Sequence, residues 1–172
     1  MDIGTRISIV GCGGAGKSTL ALQLGRRLGL EVIHLDAHFW RPGWVETPKD
    51  EWPQIVEQLA ARDHWIIDGN YGGTMEVRLA ASHTVIFLDF PRRICLWRVL
   101  KRRLVNRGKT RPDVGPGCPE SIDFEFLKWI CYSFPRHSRP ALLQRLAQLG
   151  DGKKVIVLRS PRQVKHFLAA LG

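Results

Sequence analysis

Apolar residues in this chain fall into short runs rich in β-branched residues. Between the runs lie longer stretches where apolar residues recur every three or four positions. The runs predict strands and the periodic stretches predict amphipathic helices. The first strand spans residues 6–10 and stops at a glycine. Residues 19–28 then carry Leu20, Leu24 and Leu28 on one helical face. A second short strand over 31–35 ends at Asp36, and the aromatic, turn-rich stretch 37–44 predicts a loop or irregular cap. Pro48 opens a helix to about residue 62, with Trp52, Ile55, Val56 and Leu59 at helical spacing.

A third strand over 64–68 ends on Asp68, a short helix lies near 74–81, and a fourth strand covers 83–89. Pro91 suits the first turn of the next helix, which runs to about residue 104. Its Ile94, Trp97, Leu100 and Leu104 are expected to face the core. Residues 106–119 hold Gly and Pro breakers without periodicity, which predicts a mobile loop. Helices over about 123–134 and 140–149, a fifth strand over 155–158, and a last helix from Ser160 (as N-cap) to Leu171 complete the pattern. Strands alternating with helices predict an α/β fold, a parallel sheet with right-handed crossovers and helices on both faces. At 172 residues, with no repeat and no low-complexity tract, the chain is expected to form one domain.

Composition narrows the function classes. No apolar run approaches the ~20 residues that cross a bilayer, and Asp2, Gly4, Thr5 and Arg6 interrupt any secretory leader. Cys12, Cys95, Cys118 and Cys131 are scattered, with no C-x-x-C pair and no His cluster at zinc spacing. Reduced thiols and a cytoplasmic setting are the expectation. The net charge is +10, and no acidic residue stands between Asp89 and Asp113, where nine basic ones do. Such a block serves nucleic acid or a polyanionic small molecule.

The chemistry centres on residues 11–18, Gly-Cys-Gly-Gly-Ala-Gly-Lys-Ser. They fit G-x-x-x-x-G-K-[ST] between a strand and a helix, the pattern whose backbone amides cradle phosphates. Gly11, Gly13, Gly14, Ala15, Gly16, Lys17, Ser18 and Thr19 are thus the candidate ATP-binding residues. Ser18 is placed to ligate Mg²⁺, and Lys17 supplies a mobile charge.

In open parallel sheets, ligands bind beyond the C-terminal strand ends, which here bear Asp36, Asp68, Asp89 and Arg159. Asp68, followed by Gly69, is the preferred metal-side carboxylate. Asp89 either shares that role or caps the next helix. Asp36 stands where an acceptor would lie and can take the proton of an attacking hydroxyl. His38, Trp40, Trp44 and Tyr71 form either an aromatic minicore or a pocket that stacks on a base or sugar. Arg98 and Arg102, four apart, share one helix face and are candidates to neutralise charge on the moving phosphoryl group. Arg159 is expected on the nucleotide side.

These motifs resemble the P-loop kinases of the adenylate kinase type, nearest to bacterial proteins labelled DNA topology modulation protein or adenylate kinase-like ATPase. The phosphate loop, Asp68-Gly69-Asn70-Tyr71 and the run from Leu88-Asp89-Phe90-Pro91 to Arg103 carry the likeness. So do His34-Leu35-Asp36, residues 40–44 and residues 109–113.

The resemblance implies a three-layer α/β/α P-loop NTPase fold with five parallel strands in the order 2-3-1-4-5. It also implies an acceptor-side cap over about 37–62 and a lid over about 104–121. It places Arg98 beside adenine, Arg102 on phosphates, and Mg²⁺ on Asp68 through water. Adenylate kinase proper has Asp-Gly-Phe-Pro-Arg where this chain has Asp-Gly-Asn-Tyr-Gly, so Arg78 or Arg41 is the candidate for the missing acceptor arginine. The expected function is transfer of the ATP γ-phosphoryl to a small acceptor. The alternative is a nucleotide-dependent DNA-binding ATPase, though no recognition-helix pattern is present.

Overall fold

The computed structural model describes residues 2–171. Five parallel strands form the central sheet: β1 (Arg6–Gly11), β2 (Val32–His34), β5 (Trp65–Asp68), β6 (Thr84–Leu88) and β7 (Lys154–Leu158). The spatial order is β2-β5-β1-β6-β7, which is 2-3-1-4-5 counted within this sheet. The three middle strands are buried almost throughout, as parallel strands covered on both faces must be. Between β2 and β5 come α2 (Leu35–Phe39), a small antiparallel hairpin of β3 (Trp40–Arg41) and β4 (Val45–Glu46), and α3 (Glu51–Ala60). The remaining helices are α1 (Lys17–Leu28), α4 (Met75–Ala81), α5 (Arg92–Val105), α6 (Phe124–Lys128), α7 (Arg139–Ala147) and α8 (Pro161–Ala169).

The larger core packs Ile7, Ile9, Val85, Phe87 and Leu88 of the sheet against Leu20, Leu24, Cys95 and Val99 of the helices. A smaller core joins Ile33, Leu35, Trp65 and Ile67 to Trp52, Val56 and Leu59 of α3. The Ser160 hydroxyl accepts from the Gln163 amide and caps α8. Among the described residues, no helix is long and apolar enough to cross a membrane.

Three elements depart from the sequence reading. The turn-rich stretch 37–44 is a helical turn followed by the β3–β4 hairpin, not an irregular loop. The helix after Pro48 covers only Glu51–Ala60, although the Glu51 and Trp52 amides already donate to the Pro48 carbonyl. Residues 123–149 do not break into two separate helices. A π-helical stretch, Trp129–Ser138, joins α6 to α7 and takes Pro135 inside it. Widening the turn is one way to accommodate a residue that lacks an N–H and crowds the carbonyl four positions back.

The face of α5 also differs from expectation. Cys95 and Val99 are buried and Ile94 packs beside them, whereas Trp97, Leu100 and Leu104 are exposed, Trp97 at 66%. The buried side of this helix is marked by a small thiol and a valine, which the bulkier exposed residues mask in any periodicity count. Arg98 and Arg102 lie next to that buried side and turn toward the strand ends.

Candidate active site

The loop from β1 into α1 folds tightly over its own backbone. The Ala15 amide donates to the Cys12 carbonyl at 3.1 Å, and the Lys17 ammonium donates to the carbonyls of Gly11 (3.0 Å) and Cys12 (3.2 Å). Gly14 has φ +79°, and a Cβ there would fall 2.3 Å from the Cys95 carbonyl oxygen. The loop therefore presses directly on α5, and only glycine fits. Asn70 clamps the loop from the β5 side. Its Oδ1 accepts from the Gly11 amide (3.0 Å) and its Nδ2 donates to the Gly11 carbonyl (2.8 Å). The first amides of α1 point outward from the helix end, where their partial positive charge favours an anion.

In front of this loop lies a cavity of about 1310 Å³. Residues 13–19 line one side, and Asp36, Asp68 and Tyr71 at the strand ends line another. Register brings an imidazole onto a carboxylate: His34 of β2 pairs with Asp68 of β5, and their side chains meet at 2.5 Å between Nδ1 and Oδ1. The Tyr71 hydroxyl donates to Asp36 Oδ1 at 2.7 Å. Burial, then the Asp36 charge, push the Tyr71 pKa up, so it stays a donor. Tyr71 holds φ +40°, an uncommon conformation for a non-glycine residue. Its ring, Phe39 and Trp52 pack within about 5 Å of one another, and Trp40 packs on Phe39 while also lining the cavity. The minicore and the pocket wall are one structure.

The third side comes from α5 and the segment between α5 and α6. Arg98 donates to the Ala15 carbonyl at 2.9 Å and lies over the Phe90 ring. Arg102 donates to Glu120 Oε1 at 3.0 Å, and Arg111 Nε lies 2.6 Å from Glu120 Oε2. Burial, then the nearby Arg111 charge, hold the Arg102 pKa below its ordinary value despite Glu120. The segment is docked on the hairpin: the Gly43 amide donates to the Gly117 carbonyl, and the Trp44 indole N–H donates to the Pro119 carbonyl, both at 3.0 Å. Gly115 sits where a Cβ would fall 2.2 Å from the Trp40 carbonyl oxygen.

Five expected site residues stand elsewhere. His38 is exposed on α2 and does not line the cavity, because the helical turn directs Asp36 inward and its i+2 neighbour outward. Arg78 is fully buried and donates to the carbonyls of Gly69 (3.1 Å) and Asn70, so it supports the strand end from behind. Burial, against the opposing pull of Asp68, lowers its pKa to about 10. Arg159 is 63% exposed and lies 3.6 Å from Asp89, outside the main cavity. Arg41, the other acceptor-arginine candidate, pairs with Glu51 at 2.5 Å. Asp89 neither caps α5 nor lines the cavity: Arg139 holds it with two bonds of 2.6 and 2.8 Å. Sequence reasoning did not single out Asn70, Arg111 or Glu120 as site residues, nor His34 as the partner of Asp68. Those roles depend on register and on how the segment closes.

Arg78→Met removes the donors of two buried carbonyls and should cost about 2–4 kcal/mol of stability, read as a lower urea midpoint. An unchanged midpoint would contradict this role. For His34, burial pulls the pKa down, but the hydrogen bond and charge of Asp68, with Asp113 and Asp36 beyond, outweigh it, so the net shift is upward. The stabilisation is full below the unfolded pKa of about 6.5 and is lost as pH rises through the raised folded value. The Tm difference between wild type and His34→Gln should therefore shrink as pH rises from about 6 to 9. A difference that grows over that range would contradict the assignment.

No protein-family model matches the chain, and no curated protein matches it in sequence. Comparison with solved structures shows a fold shared with two shikimate kinases and a gluconokinase. The chain is similar to shikimate kinase from Acinetobacter baumannii in complex with shikimate, at TM-score 0.60 and 15% identity, covering 97% of this chain and 90% of that one. It is likewise similar to shikimate kinase from Bacteroides thetaiotaomicron, at TM-score 0.56 and 19% identity, covering 97% and 95% of the two chains. A gluconokinase from Sinorhizobium meliloti 1021 follows at TM-score 0.53 and 16% identity, covering 99% and 95%.

Proposed function

We propose that this protein is an ATP-dependent phosphotransferase that moves the γ-phosphoryl group of ATP to a hydroxyl of a small acceptor. One observation carries the reading. The phosphate-loop face of residues 13–19 and the carboxylates of Asp36 and Asp68 open into the same cavity. ATP would lie with its phosphates on the loop amides and Lys17, and its nucleoside end toward Arg98, Pro161 and Val164. Asp36 would receive the acceptor proton, with the Tyr71 hydroxyl fixing the orientation of its carboxylate. Lys17 and Arg102 would offset charge on the moving group. The segment over about 104–121 would act as a lid that excludes water.

The donor set fits a magnesium ion. Ser18 and Asp68 offer hard oxygen ligands, and among the described residues no cluster of three His, Cys, Asp or Glu could hold an ion alone. Mg²⁺ would thus be shared between Ser18, Asp68 and the substrate phosphates, and when bound it would supply charge neutralisation there.

The names of the similar structures support a small-molecule kinase, and the motif likeness to adenylate kinase-like topology-modulation proteins supports the same chemistry. Arg98, Arg102 and Arg111 face the cavity, which accounts for part of the basic block without nucleic acid. The four free thiols fit the cytoplasmic setting expected from the sequence. The test is ³¹P NMR of Mg·ATP with a panel of hydroxyl compounds. A new phosphate-ester resonance growing with ADP is expected, and ADP formed only with inorganic phosphate would overturn transfer.

A further inference from the structure

The acceptor side of the cavity has an unusual charge distribution for a site beside a polyphosphate loop. Its cap wall presents Asp36, Trp40, Trp44 and Glu46, and among the described residues that line it there is no lysine or arginine. The basic residues nearby are engaged away from it. Arg41 pairs with Glu51, Arg62 pairs with Glu31, and Arg78 is buried on the Gly69 and Asn70 carbonyls. Across the cavity, Arg111 is already matched by Asp113 at 2.7 Å and Glu120 at 2.6 Å, and Glu120 also holds Arg102. His34 is spoken for by Asp68.

Among the described residues around the whole cavity, the cationic side chains are Lys17, Arg98, Arg102 and Arg111, against six carboxylates: Asp36, Glu46, Asp68, Asp113, Glu120 and Asp123. An anionic acceptor needs a guanidinium or ammonium free to pair with it, and without one its desolvation goes uncompensated. The phosphate loop, Lys17 and Arg98, which contacts the loop at the Ala15 carbonyl, would be taken by ATP. An acceptor carboxylate would then face Asp36 and Glu46 at close quarters. By contrast, Trp40 and Trp44, packed edge to face at 5.4 Å, offer apolar surface to the C–H face of a ring, and the carboxylates accept hydroxyl or ammonium protons.

We infer that the phosphoryl acceptor is a polyhydroxyl compound, neutral or amino-substituted, that carries no carboxylate or phosphate group. This rests on the phosphotransferase reading and narrows it. The test uses matched sets of probes on one carbon skeleton: a hexose, its 2-amino-2-deoxy derivative and its aldonic acid, repeated over several hexoses. Initial rates of ADP release give kcat/KM for each, with Mg·ATP binding measured by calorimetry alongside.

The expected result is that the acid is the poorest member of every set that is turned over, by about tenfold or more. The Glu46→Lys variant should narrow that gap about fivefold or more by placing a cation on the cap wall. An acid that matches or exceeds its neutral partner overturns the inference. So does a failure of every probe in a protein that still binds Mg·ATP, an outcome that leaves the kinase reading standing. Loss of Mg·ATP binding itself would remove both.

Discussion

Replacing Lys17 with alanine should lower phosphoryl transfer by about 10²- to 10³-fold, the scale expected when one preorganised electrostatic donor is removed from a charge-developing site. The side chain emerges from the first residue of α1, and its ammonium reaches back over the loop to the Gly11 and Cys12 carbonyls. That position puts a cation beside the amides that would hold the phosphates. The carbonyls it now contacts lie at 3.0 and 3.2 Å and are ordinary acceptors, so alanine should cost little stability. Melting temperature and kcat/KM for ATP, measured on the same preparation, check the split. A large fall in Tm with unchanged turnover would make Lys17 a structural residue.

Asp36→Asn should reduce kcat by about 10²- to 10⁴-fold while leaving Mg·ATP affinity within about twofold, because general-base catalysis contributes on that scale and the residue lies on the acceptor side. Asparagine keeps an oxygen to accept the Tyr71 hydroxyl, so the wall geometry survives and only the proton acceptor is lost. Calorimetric titration with Mg·ATP and single-turnover rates separate the two effects. If binding and turnover fell together, Asp36 would belong to the nucleotide site instead.

The sheet was legible because its middle strands are short, apolar and β-branched, and each ends at or just before a polar or glycine residue. The phosphate loop was legible because it is contiguous: its function needs eight successive backbone positions, and no partner from elsewhere defines them. What stayed hidden depends on distance along the chain. His34 and Asp68 are 34 residues apart and meet only because β2 and β5 pair in that register. Asn70 grips Gly11 across 59 residues because β1 and β5 pair with Ile9 beside Asp68. The β3–β4 hairpin has two residues per strand, too few for alternation to show, and Gly115 and Gly117 pack closely against it from far along the chain.

Arg78 was misread because an arginine after a glycine-rich turn reads as a ligand contact. Here its guanidinium satisfies the carbonyls that the turn leaves pointing inward. On α5 the buried positions are Cys95 and Val99, so hydrophobic bulk pointed to the wrong side of a helix whose cavity-facing arginines were nonetheless identified.

A crystal structure with Mg²⁺ and a non-hydrolysable ATP analogue tests the central claim most directly. The β- and γ-phosphates should lie on the amides of residues 13–18, with Lys17 turned onto them. The terminal phosphate should face Asp36 across the cavity. Phosphates bound against the outer face of α5, or a nucleotide that leaves residues 13–18 untouched, would contradict it.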